Sequence, residues 1–300
     1  MKVIGIPCYY YPTTLLLVDD DEKYLNILKD SVEPTHLIFT QPLDAIDFLK
    51  TARFNSFKQD SLFSQNTLSN IESCRQDPTR LHNISVVVVD YQMPGMSGIE
   101  FCKAIRHHPC KIIMLTGEAT QALAVEAFNN LIIDRFIEKS TPQLHRILSK
   151  TIEDMQFKHF QDLSIYTLNH FLKEQKPLPW FLQNEDFCTF FKTILKKYQI
   201  IEYYLLNEVG DFIMTTATNQ TRYFMVRNEA SFQKMLKLEI EPAYFDDPTP
   251  EATLRYESIQ AKTYTPLLCN QADSLEFMDW PLHRLHAEVC DEDAFYYAIT

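Results

Sequence analysis

Glycine is scarce in this chain of 300 residues, which holds only five. No glycine-rich loop is therefore available to cradle a nucleotide phosphate, and no ATPase P-loop is present. A Gly-Gly-Asp-Glu-Phe cyclase motif, a Glu-Ala-Leu phosphodiesterase motif and a helix-turn-helix pattern are also missing. Nowhere do about 18 apolar residues follow one another, which excludes a continuous hydrophobic membrane span. The opening MKVIGIPCYYYPTT has one lysine and no long apolar run, so no secretory signal is expected. The seven cysteines (Cys8, Cys74, Cys102, Cys110, Cys188, Cys269, Cys290) are scattered, odd in number and free of any CxxC pair. Reduced thiols in a cytoplasmic protein are expected rather than a disulfide framework.

Basic charge is lacking too, and unevenly so. Residues 1–150 carry 15 Lys+Arg against 17 Asp+Glu, whereas residues 151–300 carry 13 against 23. Nonspecific affinity for nucleic acid comes mainly from cations set against phosphates, so the acidic second half is a poor DNA-binding output. What is present is ordinary for a globular protein: 46% hydrophobic and 23% charged residues, in a chain long enough for two domains.

The first half alternates two kinds of segment. Apolar, β-favouring runs occur at Thr14–Val18, His36–Phe39, Val86–Val89, Ile112–Leu115 and Phe136–Ile137. Helical patterns at Glu22–Lys29, Leu43–Ala52, Ile99–Arg106 and Thr120–Asn129 separate them. Alternation of this kind predicts an α/β fold with a parallel sheet, and runs such as VVVV suit strands buried on both faces. Ligands of such folds bind beyond the carboxyl ends of the strands. Arg53–Asn83 breaks the pattern as a long polar insertion, which Phe54, Phe57 and Phe63 could anchor.

From Gln143 to Lys176 no glycine or proline intervenes, predicting a long helix that ends at Pro177 and Pro179. It serves either as a connector with a dimer seam or as an ordinary packed helix. Beyond it, a helix at Phe187–Tyr198, strands at Ile200–Leu206, Asp211–Thr216 and Arg222–Val226, and a helix at Ala230–Leu238 predict an α+β domain with an antiparallel sheet. Three divisions follow: 1–150, a connector 151–179 and 180–300.

The strand ends of the first half carry the chemistry. One strand runs into Asp19-Asp20-Asp21 and another ends at Asp90. Side by side, these carboxylates repel, and each pKa rises unless a cation is present. A hard divalent cation such as Mg²⁺ suits such oxygen ligands. The next strands lead to Thr116 and Lys139, a hydroxyl and a cation at the same edge. An aspartate carboxylate can act as a nucleophile, and a metal with a lysine can spread the charge of a phosphoryl group. Singly, each residue has a plain structural role: a cap, a turn, a solvated side chain. Four strand ends in agreement carry the reading.

The segments LLLVDDD, VVVVDYQMPGMSGIEF, IIMLTGEA and FIEKS resemble, in family order, the signatures of the response regulator receiver family over about residues 13–150. Three of the five glycines, Gly95, Gly98 and Gly117, fall in these segments. The resemblance implies a flavodoxin-like (βα)5 receiver with sheet order 2-1-3-4-5. It implies Asp90 as phosphoacceptor and Asp19, Asp20, Asp90 and the backbone carbonyl of Gln92 as Mg²⁺ ligands. It also implies Lys139 and Thr116 at the phosphoryl oxygens, Phe136 as the aromatic switch, and Gln92 and Glu118 as tuners of dephosphorylation. Ser140 stands where the family usually has proline, and Gly117 where it usually has alanine.

The partner implied is a sensor histidine kinase or phosphotransfer protein. The receiver is expected to catalyse only its own phosphoryl transfer and loss. The output is expected to bind a protein or ligand, in a homodimer; a DNA-binding regulator through an unrecognised fold and an enzymatic output are the alternatives. His283, His286 and Cys290 have metal-ligand spacing without a fourth partner and are expected to be a surface run. Cys102, His107, His108 and Cys110 are expected to pack or face solvent. The tyrosines at 9–11, 203–204 and 296–297 read as strand-edge or core residues.

Overall fold

The computed structural model describes residues 4–29, 32, 35–52, 67–117, 121–169, 173, 177–235, 250–266, 282–284, 286–290 and 293–300. The chain divides into two compact units, and neither is continuous in sequence. The division at 150 that the sequence pattern predicts is therefore crossed more than once. The strand β1 (Tyr9–Tyr10) belongs to the unit built mainly from Ser164 onward.

The other unit contains β2 (Thr14–Val18), α1 (Glu22–Lys29), β3 (His36–Phe39) and α2 (Pro42–Thr51). A helix of the insertion, α3 (Thr67–Gln76), belongs instead to the unit built mainly from Ser164 onward. The receiver-like unit resumes with β4 (Ile84–Asp90), α4 (Gly98–Ile105), β5 (Lys111–Thr116), α5 (Gln121–Asn129) and β6 (Arg135–Glu138). The 24-residue α6 (Leu144–Thr167) completes it as far as Leu163. Phe54, Phe57, Phe63 and Glu118 lie outside the described residues, as does part of the expected helix beyond Asn169.

The five strands form one parallel sheet in the order β3-β2-β4-β5-β6. Successive side chains of a strand point to opposite faces. Leu16, Val18, Val87, Val89 and Met114 accordingly pack with α2, α4 and α5 through Leu49, Phe101, Ile105 and Ala124. Their neighbours Leu15, Leu17, Val86, Val88, Ile113 and Leu115 pack with α1 and α6 through Leu25, Leu28, Leu148 and Ile152. Helices on both faces explain why these strands read as unbroken apolar runs.

The second unit holds α7 (Glu185–Lys197), β7 (Ile200–Leu205), β8 (Asp211–Thr216), β9 (Thr221–Arg227) and α8 (Glu229–Met235). Further along are α9 (Pro250–Gln260), β10 (Tyr264–Pro266), β11 (Leu282–Arg284), β12 (His286–Cys290) and β13 (Asp293–Ile299). Six strands make an antiparallel sheet in the order β1-β7-β8-β9-β13-β12. Asn207 builds the turn between β7 and β8, its Oδ1 accepting from the amides of Val209, Gly210 and Asp211. Gly210 has φ +113° there, and a Cβ would collide with Val226.

The two faces of this sheet differ. Phe191 of α7 and Phe181 meet Phe212 of β8, and Phe187 and Phe191 of α7 meet Phe224 of β9. Residues alternating with these carry polar contacts: Tyr204 donates to Glu202 at 2.7 Å, and Arg75 of α3 donates to Thr215 at 3.0 Å. Arg227 and Asp211, both fully buried, form an ion pair of 2.6 Å. Tyr9, Tyr10, Tyr203 and Tyr204 are strand and core residues, pairing across β1 and β7.

Candidate functional site: an acidic cluster at the strand ends

β2 and β4 are neighbours in register, Val18 opposite Val89, so their next residues emerge together at the carboxyl edge. Asp19, Asp20 and Asp90 offer carboxylate oxygens that all lie within 4.8 Å of one another. Among the described residues this is the one group of three such side chains close enough to share a metal ion. Asp19 and Asp90 are buried, and Asp20 faces solvent.

Lys139, just after β6, reaches into the cluster. Its Nζ donates to Asp19 Oδ2 at 2.8 Å and lies 2.9 Å from Asp90 Oδ1. Its backbone amide donates to the Thr116 carbonyl at 2.8 Å, which brings the ends of β5 and β6 to the same place. Burial raises the Asp19 pKa; the hydrogen bonds from Lys139 and from the Asp21 amide pull it back, and the Asp90 charge adds to the rise. For Lys139, burial alone lowers the pKa, but the hydrogen bonds with Asp19 and Asp90 overcome it and hold the ammonium charged. A cation is thus already required between these carboxylates, and an all-oxygen donor set of this kind fits Mg²⁺.

The loop after Asp90 has its own supports. The Gln92 amide donates to Asp90 Oδ2 at 3.2 Å, which fixes the rotation of the carboxylate. Ser97 and Glu100 form a capping box at the start of α4, Ser97 Oγ accepting from the Glu100 amide and Glu100 Oε2 from the Ser97 amide. Gly98 sits against β4, where a Cβ would strike the Asp90 carbonyl oxygen. At Gly117 a Cβ would meet nothing within 4 Å among the described residues. An open cleft beside the cluster is lined by Asp20, Tyr91, Gln92, Met93, Pro94 and Ser97.

Thr116 is fully buried, and its hydroxyl has no hydrogen-bond partner among the described residues. Phe136, opposite Met114 in the β5–β6 register, is half-buried with its ring edge-on to Phe128 at 6.2 Å. Asp21, the third aspartate, is the cap of α1: its Oδ1 accepts from the amides of Lys23 (2.9 Å) and Tyr24 (3.2 Å). Sequence reasoning left Tyr24 unremarked, yet its ring lies 4.4 Å from Lys139 Nζ. An aromatic one turn into the helix that follows an acidic run was the available signal.

The other clusters behave as packing. Cys102 is buried in the sheet–helix core, and burial pushes the thiol of Cys110, packed against that core, up to about 12. His286 is exposed, and the side chains of His283 and Cys290 lie outside what is described.

Residues 55–151 match the response regulator receiver domain family. The heme response regulator HssR of Staphylococcus saprophyticus is 30% identical over 106 residues, which is 35% of this chain. The chain therefore spans about a third (35%) of the length of that curated relative. Among solved structures, the response regulator LqsR of Legionella pneumophila is similar over 100% of this chain and 90% of its own, with 26% identity and a TM-score of 0.80. Residues 55–151 thus match a receiver domain of the response regulator family, and the five-stranded parallel sheet is flavodoxin-like and separate from the antiparallel sheet.

Proposed function

We propose that this protein is a two-component response regulator that accepts a phosphoryl group on Asp90. The observation that carries the reading is Lys139 Nζ held between Asp19 and Asp90, with Asp20 completing a three-carboxylate cluster. Asp90 Oδ would attack the phosphorus of a phosphohistidine on a sensor kinase or phosphotransfer protein. A P–O bond forms, the P–N bond breaks, and the imidazole leaves. Asp19, Asp20, Asp90 and the Gln92 carbonyl would hold Mg²⁺, which when bound neutralises charge on the transferred group. Lys139 exchanges its contact with the Asp90 carboxylate for one with a phosphoryl oxygen.

The buried Thr116 hydroxyl then gains an acceptor it lacks in this state. Phe136 moves with it, and the change passes to the surface made by α5, β6 and α6, a bistable element biased by new local charge. Gln92 and Glu118 govern the approach of the water that removes the phosphoryl group. No helix among the described residues is long and apolar enough to cross a membrane, and we place the protein in the cytoplasm of a bacterium. The second unit is the output, a module that binds a protein or ligand and works within a homodimer. No catalytic activity beyond the receiver's own phosphoryl chemistry is assigned to it.

The test is intact mass after incubation with Mg²⁺ and acetyl phosphate, beside an Asp90→Ala control, with light scattering in parallel. Gain of one phosphoryl mass by the wild type alone supports the assignment. Its absence, where a known receiver is modified and the cognate kinase also fails, leaves a receiver-shaped scaffold.

A further inference from the structure

Lys139 must be charged, aimed and able to move a short way. Two of its three ammonium hydrogens are accounted for by Asp19 Oδ2 and Asp90 Oδ1. The third direction faces an aromatic ring: Nζ lies 4.4 Å from the centroid of Tyr24. A cation this close to a ring face is attracted by the ring quadrupole, which requires no fixed hydrogen-bond angle.

The Tyr24 hydroxyl is buried and has no hydrogen-bond partner among the described residues. The side chain is therefore not held there by its oxygen; what it presents to the site is the ring. Its backbone is held by the same acidic run that forms the site. Asp19 Oδ1 accepts from the Asp21 amide at 2.9 Å, and Asp21 Oδ1 accepts from the Tyr24 amide at 3.2 Å. Lys139 closes the circuit on Asp19. Asp19, Asp21, Tyr24 and Lys139 thus fix one another's positions.

We infer that Tyr24 is a positioning residue for Lys139, an aromatic wall that keeps the ammonium aimed while it exchanges Asp90 for the incoming phosphoryl group. The inference rests on the phosphoacceptor reading above. Phosphoryl transfer converts the Asp90 carboxylate into an acyl phosphate and removes the carboxylate charge that now pulls Lys139 from one side. A directional hydrogen bond on the opposite side would resist the shift of Nζ. A ring face permits it without loss of contact.

The experiment compares Tyr24→Phe and Tyr24→Leu in the full chain. The rate of modification by acetyl phosphate with Mg²⁺ is followed by intact mass. Side-chain NMR of the unphosphorylated protein reports the ring-current shift of the Lys139 ε-methylene. Tyr24→Phe is expected to keep that shift and a rate within about twofold of wild type, because the ring is retained. Tyr24→Leu is expected to lose the shift and slow the reaction about tenfold, the loss expected for a partly desolvated cation–π contact. A leucine variant with an unchanged rate, or a phenylalanine variant as slow as leucine, overturns the inference while leaving Asp90 as phosphoacceptor. A wild-type protein that takes no phosphoryl group from small donor or kinase overturns the phosphoacceptor reading, and this inference with it.

Discussion

The amide of Lys139 donates to the carbonyl of Thr116 at 2.8 Å, while the hydroxyl of the same threonine is buried with no partner among the described residues. The backbone bond fixes the two strand ends together; the unmatched hydroxyl is the part left over. A buried hydroxyl without a partner destabilises by about 1–3 kcal/mol. Thr116→Val removes it at nearly constant shape. The unphosphorylated variant is expected to be more stable by about 1 kcal/mol, read by chemical denaturation. If the hydroxyl engages the phosphoryl group, the variant also loses part of the stabilisation that phosphorylation gives the wild type. A variant less stable than wild type in both states would mean that Thr116 has a partner in solution.

Gly98 and Gly117 make opposite predictions from one substitution. At Gly98 a Cβ would strike the carbonyl oxygen of Asp90 and crowd Tyr91, backbone atoms that cannot swing aside. Gly98→Ala should displace α4 from β4 and cost about 1–3 kcal/mol, an overpacking effect. At Gly117 nothing among the described residues lies within 4 Å of the added methyl. Gly117→Ala should leave stability unchanged or raise it by roughly 0.4–1 kcal/mol through the unfolded state. Paired thermal denaturation curves decide both, and equal effects at the two positions would contradict the packing described at Gly98.

The strand ends were legible because their chemistry is local: Asp19, Asp20, Asp90, Thr116 and Lys139 each follow an apolar run, and a parallel sheet brings such positions to one edge. The three central strands of the second unit were legible for a similar reason, with Asn207 and Gly210 marking a turn. What could not be read was non-local. Tyr9 and Tyr10 look like the approach to β2, yet they pair with Tyr204 and Tyr203, nearly two hundred positions away. Periodicity within α3 says nothing of the fact that Arg75 donates to Thr215 of another sheet. Asp21 carried a carboxylate like its neighbours, and only the geometry of α1 shows it spent on capping.

The first strand makes the second unit depend on the start of the chain. Ile4, Ile6, Cys8, Tyr9 and Tyr11 are all buried at 2% exposure or less. The Gly5 amide donates to the Leu182 carbonyl, and the Cys8 amide to Ser164 Oγ at 2.8 Å. Losing several fully buried side chains, each worth about 2–5 kcal/mol, exceeds the total stability of an ordinary domain. Deletion of residues 2–11 is therefore expected to abolish hydrogen-exchange protection in β7, β8 and β9. Protection in β2, β4 and β5, whose core contains none of these residues, should persist. Loss of protection spread evenly over both sheets would refute this division.

His159 supplies a pH dependence separate from the acidic cluster. It lies on α6, 3% exposed, with Nδ1 2.6 Å from the Pro109 carbonyl oxygen. A carbonyl can only accept, so the neutral ring carries its proton on Nδ1. Burial drives the pKa from 6.5 down to about 4; the Pro109 contact opposes this and the charge of Lys111 reinforces it. The unfolded chain therefore binds a proton near pH 6.5 that the folded protein refuses until about pH 4. Between these values the unfolded state holds more protons, so stability is fully present above pH 6.5 and falls as the pH drops. The slope from this one residue reaches at most about 1.4 kcal/mol per pH unit. His159→Gln keeps a donor for the Pro109 carbonyl and cannot titrate. Denaturation free energies of variant and wild type should differ by a constant above pH 6.5 and converge, or cross in favour of the variant, toward pH 4. Curves that stay parallel over that interval would mean that the imidazole is protonated in the folded protein, and that the bond to Pro109 outweighs the burial of charge.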